Sequence, residues 1–322
     1  MKKLIVIIPA FNEEATVAQV ISDIPSSIDG IDEMKIVVID DGSTDGTAES
    51  ARSAGAEVIS HPKNLGLGVS FRRGITRALE LQADIIVNID ADGQFNPKEI
   101  PQIIAPLLEG KAEFVTGSRF LVKDPNFHLS FSKKWGNRLM SWIISKIVGK
   151  KFHDVSCGYR GYSREAALRM NLFGKFTYTQ ETFIDLAYKD VPIMEVPVKV
   201  RSEREFGKSK ISSNLFQYGF QTIKIITMAI RDYKPMKLMG FISLILATFG
   251  LGLAIFFIAH YIRTGLFKPH TWAAFVSGTL LLLSLFFLII GIFMEMFSRM
   301  RINQERLLYF ARRDAFESKK KD

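Results

Sequence analysis

Three acidic clusters punctuate the first hundred residues. They are Pro9-Ala10-Phe11-Asn12-Glu13-Glu14, then Asp40-Asp41-Gly42-Ser43-Thr44-Asp45-Gly46-Thr47, then Asp90-Ala91-Asp92-Gly93-Gln94. Asp90 and Asp92 are two residues apart. At a strand end both can reach one hard cation, with Gln94 as a further oxygen ligand. Mg²⁺ takes one or two carboxylates and fills its shell from substrate phosphates, so this donor set suits a nucleoside diphosphate. Asp-Asp-Gly-Ser alone is also a turn and helix-cap sequence. It is the recurrence of acidic groups at successive strand ends that points to a site. The chain has five histidines and no Ser/His/Asp triad pattern, so acyl-transfer chemistry of that kind is not indicated.

These clusters need elements to position them. Leu4–Ile8, Lys35–Ile39, Glu57–Ser60 and Asp84–Ile89 read as strands, and the segments after Asn12, Ser43, Gly68 and Asn96 read as helices. Asn96 followed by Pro97 is a helix start, with a capping side chain and proline at the first helical position. Alternation of this kind predicts an α/β fold with a mostly parallel sheet. Such sheets bind ligands at the carboxyl ends of their strands, where the acidic clusters fall.

Composition adds a second part. The chain has 322 residues, 48% of them apolar and 23% charged, and a net charge of +9; mean hydropathy is +0.13. This excludes a disordered tail protein, a disulfide miniprotein and a collagen-like repeat. Cys157 is the single cysteine, which fits a reducing compartment. Residues 1–210 hold 28 basic and 27 acidic residues, a net of +1; the remaining 14 and 6 leave +8 for residues 211–322. A near-neutral N-terminal part argues against nucleic acid as a partner.

The last third carries two charge-free runs, Leu238–Ala259 and Thr271–Met294, of 22 and 24 residues. At about 1.5 Å per residue each exceeds a hydrocarbon core of about 30 Å, so a two-helix transmembrane hairpin is expected. Basic flanks at Arg231, Lys234 and Lys237, and again at Arg299, Arg301, Arg306, Arg312 and Arg313, place both termini and the N-terminal domain in the cytoplasm. Leu4–Ala10 is too short for a cleavable signal and reads as a strand. Phe127–Val148 carries Trp135, Leu139, Trp142, Ile143 and Ile147 with Lys133, Lys134, Arg138 and Lys146 interleaved, and Ile211–Ile230 carries Leu215, Phe216, Phe220, Ile223 and Ile226; each reads either as an ordinary core helix or, beside a membrane hairpin, as an interfacial one. Gly250-x-x-x-Ala254 permits close helix packing, within the hairpin or in a homo-oligomer. The expected organisation is a catalytic domain over 1–210, an amphipathic interface helix over 211–235, the hairpin over 236–298 and a basic tail over 299–322.

The ordered motifs resemble glycosyltransferase family 2, whose fold is the Rossmann-like GT-A domain, and within it the polyprenyl-phosphate sugar synthases such as dolichyl-phosphate mannose synthase. The resemblance covers about residues 3–215. It rests on the three clusters above together with Asn64-Leu65-Gly66-Leu67-Gly68, Gly117-Ser118-Arg119-Phe120, His153-Asp154-Val155-Ser156-Cys157-Gly158-Tyr159-Arg160, Gln180-Glu181 and Arg204-Glu205-Phe206-Gly207-Lys208-Ser209-Lys210. It implies that Pro9, Phe11, Glu13, Asp40, Asp41 and Asp90 line the nucleotide pocket. Asp90, Asp92 and Gln94 would hold Mg²⁺ or Mn²⁺ against the diphosphate. Arg119, Arg204 and Lys210 would face the acceptor phosphate or the donor diphosphate. The chain departs from some relatives in having Lys133-Lys134 where they show Arg and Ser, and Gly158-Tyr159-Arg160 where the family ends in Gly-Phe-Arg.

The implied reaction is inverting transfer of a sugar from a nucleotide-diphosphate sugar, of the GDP-mannose or UDP-glucose type, to a dolichyl or undecaprenyl monophosphate at the cytoplasmic membrane face. The leaving phosphate needs electrostatic stabilisation, which a divalent ion and cations supply. A lipid monophosphate, with a second pKa of about 6, is mostly dianionic at neutral pH and needs no strong base. It needs cations to align it, and Arg119, Lys133, Lys134, Arg138, Arg204 and Lys210 are the candidates. Asp154 would orient the acceptor lysines or act as a weak base, with orientation favoured. Two alternatives are a processive polysaccharide synthase, which usually carries Gln-x-x-Arg-Trp and more spans, and a non-catalytic nucleotide-sugar-binding membrane protein.

Overall fold

Lys3–Ala10 is an almost unbroken apolar run, the pattern of a strand covered on both faces, and it forms the interior strand β1, buried from Leu4 onward. The computed structural model describes residues 1–121, 131–174, 178–201, 227 and 235–318. After β1 come α1 (Val17–Ser22), β2 (Glu33–Asp40), α2 (Thr47–Ser53), β3 (Glu57–Ser60), α3 (Leu67–Glu80) and β4 (Ile85–Asn88). A 3-10 turn (Pro97–Glu99) leads into α4 (Ile100–Leu108), followed by β5 (Phe114–Ser118), α5 (Phe131–Val148), β6 (Arg160–Ser163), α6 (Arg164–Arg169), α7 (Thr179–Tyr188) and β7 (Ile193–Pro197). The Asn96 side chain accepts from Lys98 N at 3.1 Å with Pro97 behind it, the cap expected from the sequence.

The seven strands form one sheet in the order β3-β2-β1-β4-β6-β5-β7. β3, β2, β1 and β4 are parallel neighbours. β6 runs antiparallel to both β4 and β5, and β7 is parallel to β5. The sheet is thus a mostly parallel half joined to a mixed half through β6. Helices cover both faces. α3 packs over the Ile7 and Ile39 side, where Gly74 lets it approach: a Cβ there would meet Ile7 Cβ at 3.2 Å. α4 covers the other side, and a Cβ on Gly161 of β6 would meet Ile103 Cγ2 at 3.0 Å. Leu4, Val6, Ile8, Val38 and Val87 join Val17, Ile100 and Ile103 in the core of that second face.

The chain divides into two compact units, one of residues 1–225 with 308–322 and one of residues 226–307. The second unit holds α8 (Pro235–Thr264) and the part of α9 (Thr271–Ser318) that precedes Leu308. Both helices are long and apolar enough to cross a membrane, and only 11% of each apolar window is buried. They pair through small and hydroxyl residues. Ser243 Oγ donates to Ser284 O at 2.9 Å, Ser284 Oγ donates to Ser243 O at 2.9 Å, and Ser277 Oγ donates to Gly250 O at 3.0 Å. In a hydrocarbon setting such bonds and close backbone approach hold helices together, because apolar burial gives no preference. Gly250 belongs to this seam: a Cβ there would meet Leu281 Cγ at 3.0 Å.

Candidate active site

The turns after β1 and β2 are stitched to each other. Asn12 has φ 54°, a left-handed conformation that asparagine tolerates. Its Oδ1 accepts from Thr44 N at 2.8 Å, and its own N–H donates to Ser43 Oγ at 2.9 Å. Glu13 N donates to Thr47 Oγ1 at 2.8 Å. Asp40 and Asp41 are each 4% exposed. Asp40 Oδ1 accepts from Ser43 N at 3.0 Å, closing its own turn. Asp41 reaches the Asn64–Gly68 loop: Oδ1 accepts from Leu65 N at 3.0 Å, Oδ2 accepts from Gly66 N at 2.9 Å, and His61 Nδ1 lies 2.9 Å from Oδ1. Asp41 therefore fixes the loop that opens α3. Pro9 is buried in β1 beside Ile39, while Phe11 and Glu13 are half-buried in the turn beyond it.

The turn after β4 carries the paired carboxylates. Asp92 is 6% exposed and its Oδ1 accepts from Gln94 N at 3.1 Å; Asp90 is half-buried. Thr16 Oγ1 donates to Ala91 O at 2.8 Å, tying this turn to the one after β1. Gln94 O accepts from Arg201 N at 3.0 Å, and Phe95 bridges Val200. The segment leading into residues 202–210 is thus laid against the Asp-x-Asp turn. Arg204 and Lys210, and the expected interface helix over 211–235 apart from Thr227 and Pro235, lie outside the described residues. Among the described residues no group of three or more His, Cys, Asp or Glu side chains forms a metal cage. Two carboxylates and an amide fit a hard cation that completes its shell from a bound diphosphate.

At the end of β5, Arg119 is gripped by Asp154. Nε donates to Oδ2 at 2.6 Å and Nη2 to Oδ1 at 2.9 Å, the bidentate fork of a guanidinium on a carboxylate. Arg119 Nη2 also donates to Ser156 Oγ at 2.7 Å. The Asp154 side chain is 0% exposed and that of Arg119 19%. Burial by itself raises the Asp154 carboxyl, but the Arg119 charge and hydrogen bonds outweigh it and hold the group below its ordinary value. Among the described side chains, the charged partner of the Asp154 carboxylate is Arg119. Lys134 and Arg138 are exposed on α5, and Lys133 lies in the first turn of that helix.

Two supporting residues, Glu195 and Asn88, escaped the sequence reading, and a third, Arg160, entered it only as the end of a motif. Glu195 on β7 accepts from His153 N at 2.9 Å and Asp154 N at 2.9 Å, fixing the loop that presents Asp154. Asn88 Nδ2 donates to Gly158 O at 2.8 Å and to Tyr178 OH at 2.7 Å, joining the end of β4 to that loop and to the start of α7. Arg160 is 0% exposed. It donates to Cys157 O at 2.7 Å, Thr179 O at 2.8 Å and Val155 O at 3.1 Å. Its guanidinium carbon also lies 5.0 Å from the Phe183 ring centre. This arginine of the Gly-Tyr-Arg segment is a framework cation with its charge met by carbonyls and ring faces. Burial raises the Cys157 thiol to about 12, so it stays protonated and inert.

A sheet of this order, with acidic turns after β1, β2 and β4 and an anchored arginine after β5, has the GT-A architecture of a glycosyltransferase. The chain belongs to glycosyltransferase family 2, whose family model, Glycosyl transferase family 2, matches residues 5–169. It is 31% identical over 220 residues to a UDP-N-acetylglucosamine–dolichyl-phosphate N-acetylglucosaminyltransferase of Methanococcus voltae, covering 62% of this chain and 85% of the relative. It is 28% identical over 304 residues to the undecaprenyl-phosphate 4-deoxy-4-formamido-L-arabinose transferase of Salmonella choleraesuis, covering 90% of this chain and 84% of that one. Among solved structures, the glucosyl-3-phosphoglycerate synthase of Mycobacterium tuberculosis with Mn²⁺, UDP-glucose and glycerol 3-phosphate superposes with a TM-score of 0.54 at 25% identity, over 71% of this chain and 79% of that one. The protein is a glycosyltransferase.

Proposed function

We propose that the protein transfers a sugar, with inversion, from a nucleoside-diphosphate sugar to a polyprenyl monophosphate at the cytoplasmic face of a membrane. Asp90, Asp92 and Gln94 hold Mg²⁺ or Mn²⁺, which supplies Lewis-acid stabilisation of the departing diphosphate when bound. Pro9, Phe11, Glu13 and Asp40 frame the nucleotide, and Asp41 acts on it through the Leu65–Gly66 loop. Arg119, with Lys133, Lys134 and Arg138 on α5 and Arg204 and Lys210 beyond Arg201, meets the acceptor phosphate. The hairpin of α8 and α9 anchors a multi-pass protein with both termini cytoplasmic.

One observation carries the acceptor assignment. Arg119 stands at the end of β5, held in a fixed fork by a fully buried, ionised Asp154. A cation locked in this way is preorganised to align a dianionic nucleophile. Both named relatives act on polyprenyl phosphates, which supports the same acceptor class here. The uridine nucleotides named for the Methanococcus relative and the Mycobacterium structure put UDP-sugars first in a donor panel. The test incubates membranes containing the protein with radiolabelled UDP-glucose, UDP-N-acetylglucosamine or GDP-mannose and a polyprenyl phosphate, with and without Mg²⁺ or Mn²⁺. Label is expected in the extracted lipid only with a divalent ion. If no donor labels the lipid fraction, the reading fails.

A further inference from the structure

The turn that joins α8 to α9 brings together two of the chain's five histidines, His260 and His270. Phe256, His260 and Thr264 follow one another at four residues and share one face of α8. His270 stands just ahead of α9, where its carbonyl accepts from Ala273 N at 2.9 Å. Its ring packs against Phe256, with centres 5.1 Å apart and planes at 70°, and against His260, with centres 4.7 Å apart and planes at 89°. Both histidines are half-buried. The Nδ1 atom of His270 is itself buried and has no hydrogen-bond partner among the described residues. A buried imidazole nitrogen in that state is costly, and a bound ion is one thing that meets it.

His260 Nε2 is poorly met as well. It lies 3.4 Å from Lys268 O and 3.4 Å from Thr264 Oγ1, both beyond the range of about 2.7–3.2 Å of a good N–H···O bond. Thr264 Oγ1 donates to His260 O at 2.8 Å, so its proton is already engaged. The same spacings suit a metal ion. Tetrahedral ligands about 2.0–2.1 Å from Zn²⁺ stand about 3.3–3.4 Å from one another, and two imidazoles on one such ion have ring centres about 4.5–5.2 Å apart. From His260 to His270 the chain has no carboxylate, so nothing there favours Mg²⁺ or Ca²⁺, whereas imidazole suits zinc, copper and nickel. The two cations of the turn, Arg263 and Lys268, are exposed, so water and salt screen them.

We propose that His260 and His270 bind one divalent transition-metal ion of the Zn²⁺ class through their ring nitrogens. Lys268 O is the third donor, and Thr264 Oγ1 or water completes the shell. The ion braces the end of α8 against the start of α9. This site belongs to the helical hairpin, and its imidazole donors set it apart from the Asp90–Asp92 turn, whose carboxylates suit a hard cation.

Trp272 follows His270 by two residues and reports on the site. The chain has three tryptophans, so Trp135→Phe/Trp142→Phe leaves it as the sole indole fluorophore. This full-length parent, purified without a polyhistidine tag, is titrated in detergent with Cu²⁺, a paramagnetic quencher that imidazole sites bind tightly. About one equivalent is expected to quench Trp272 emission by about half or more. His260→Phe and His270→Phe, made in that parent, keep a ring in each aromatic contact and remove the ligand. Each should start from the parent's emission spectrum and raise the quenching midpoint by about tenfold or more. Unquenched emission in the parent overturns the proposal, and so does one midpoint shared by the parent and both variants. Equilibrium dialysis against Zn²⁺ is the second measurement: the parent should hold one more ion per chain than His260→Phe/His270→Phe, and equal contents overturn the site. Neither readout requires sugar transfer, so a failure here leaves the proposed function standing, and an inactive protein leaves this site standing.

Discussion

Gly158 lies directly against the Asp90 carboxylate: a Cβ on Gly158 would stand 2.7 Å from Asp90 Oδ2 and 3.0 Å from Oδ1. The glycine cannot back away cheaply, because its carbonyl accepts the buried Asn88 Nδ2 at 2.8 Å. Gly158→Ala must therefore displace the carboxylate. If Asp90 helps to hold the divalent ion, the ion concentration for half-maximal activity should rise by about tenfold or more, while overpacking costs about 1–3 kcal/mol of stability. A metal titration beside a thermal melt separates the two effects. An unchanged metal dependence in a folded variant would detach Asp90 from the ion.

Asp92→Asn changes charge with little change of shape. The amide oxygen can still accept from Gln94 N, now at 3.1 Å from Oδ1, so the turn should survive. The loss of one negative ligand should lower turnover by about a hundredfold or more, the scale of removing one preorganised electrostatic group. Full activity in Asp92→Asn would remove this residue from the metal site.

The Arg119–Asp154 pair has a pH signature. Burial raises the Asp154 carboxyl and the Arg119 charge and hydrogen bonds lower it further than that, so its folded value lies below the ordinary one. The unfolded chain then binds the proton more readily. The stability from this pair is fully present above the unfolded aspartate value of about 3.9 and is lost as pH falls through the lower folded value. Asp154→Asn should cost about 3 kcal/mol or somewhat less at neutral pH, because Arg119 keeps partial access to water. Below about pH 4 the gap between variant and wild type should narrow. Melting temperatures from pH 7 down to pH 3 measure both; a gap that stays constant would contradict the assignment.

The parallel half of the fold was legible because β1, β2 and β4 are β-branched runs with acidic turns at their carboxyl ends. The mixed half was not. β6 is Arg-Gly-Tyr-Ser, with no β-branched residue, and it is a strand only because β4 and β5 flank it. The site divides in the same way. Asp90, Asp92 and Arg119 could be chosen from residue type and motif order. Glu195 could not, since a carboxylate in Ile-Met-Glu-Val-Pro carries no local mark, and only the pairing of β7 with β5 brings it to His153 and Asp154. Arg160 closes one of the motifs that carry the family resemblance. Its burial among three carbonyls shows why a motif cation can belong to the frame.

The last turns of α9, within the expected basic tail over 299–322, are part of the catalytic unit. Arg312 Nη1 donates to Met170 O at 2.7 Å and to Leu168 O at 3.4 Å, at the carboxyl end of α6. Tyr309 OH donates to Glu165 Oε2 at 3.1 Å. Burial lowers the Arg312 guanidinium from its ordinary value, and the charge of Asp185 works against that. A cation at a helix carboxyl terminus meets both the unpaired carbonyls and the negative end of the dipole. Arg312→Ala should therefore destabilise the catalytic unit by about 2 kcal/mol, within the range for a hydrogen bond to a charged group. Arg312→Lys should recover only part of that loss, because the shorter side chain does not place its ammonium where the planar guanidinium sets Nη1 against the two carbonyls. Tyr309→Phe, which removes one partly exposed bond, should cost about 1 kcal/mol or less. Thermal unfolding of the full-length protein in detergent ranks the three. If Arg312→Ala melts with the wild type, the tail helix contributes nothing to the catalytic unit and is only a tether.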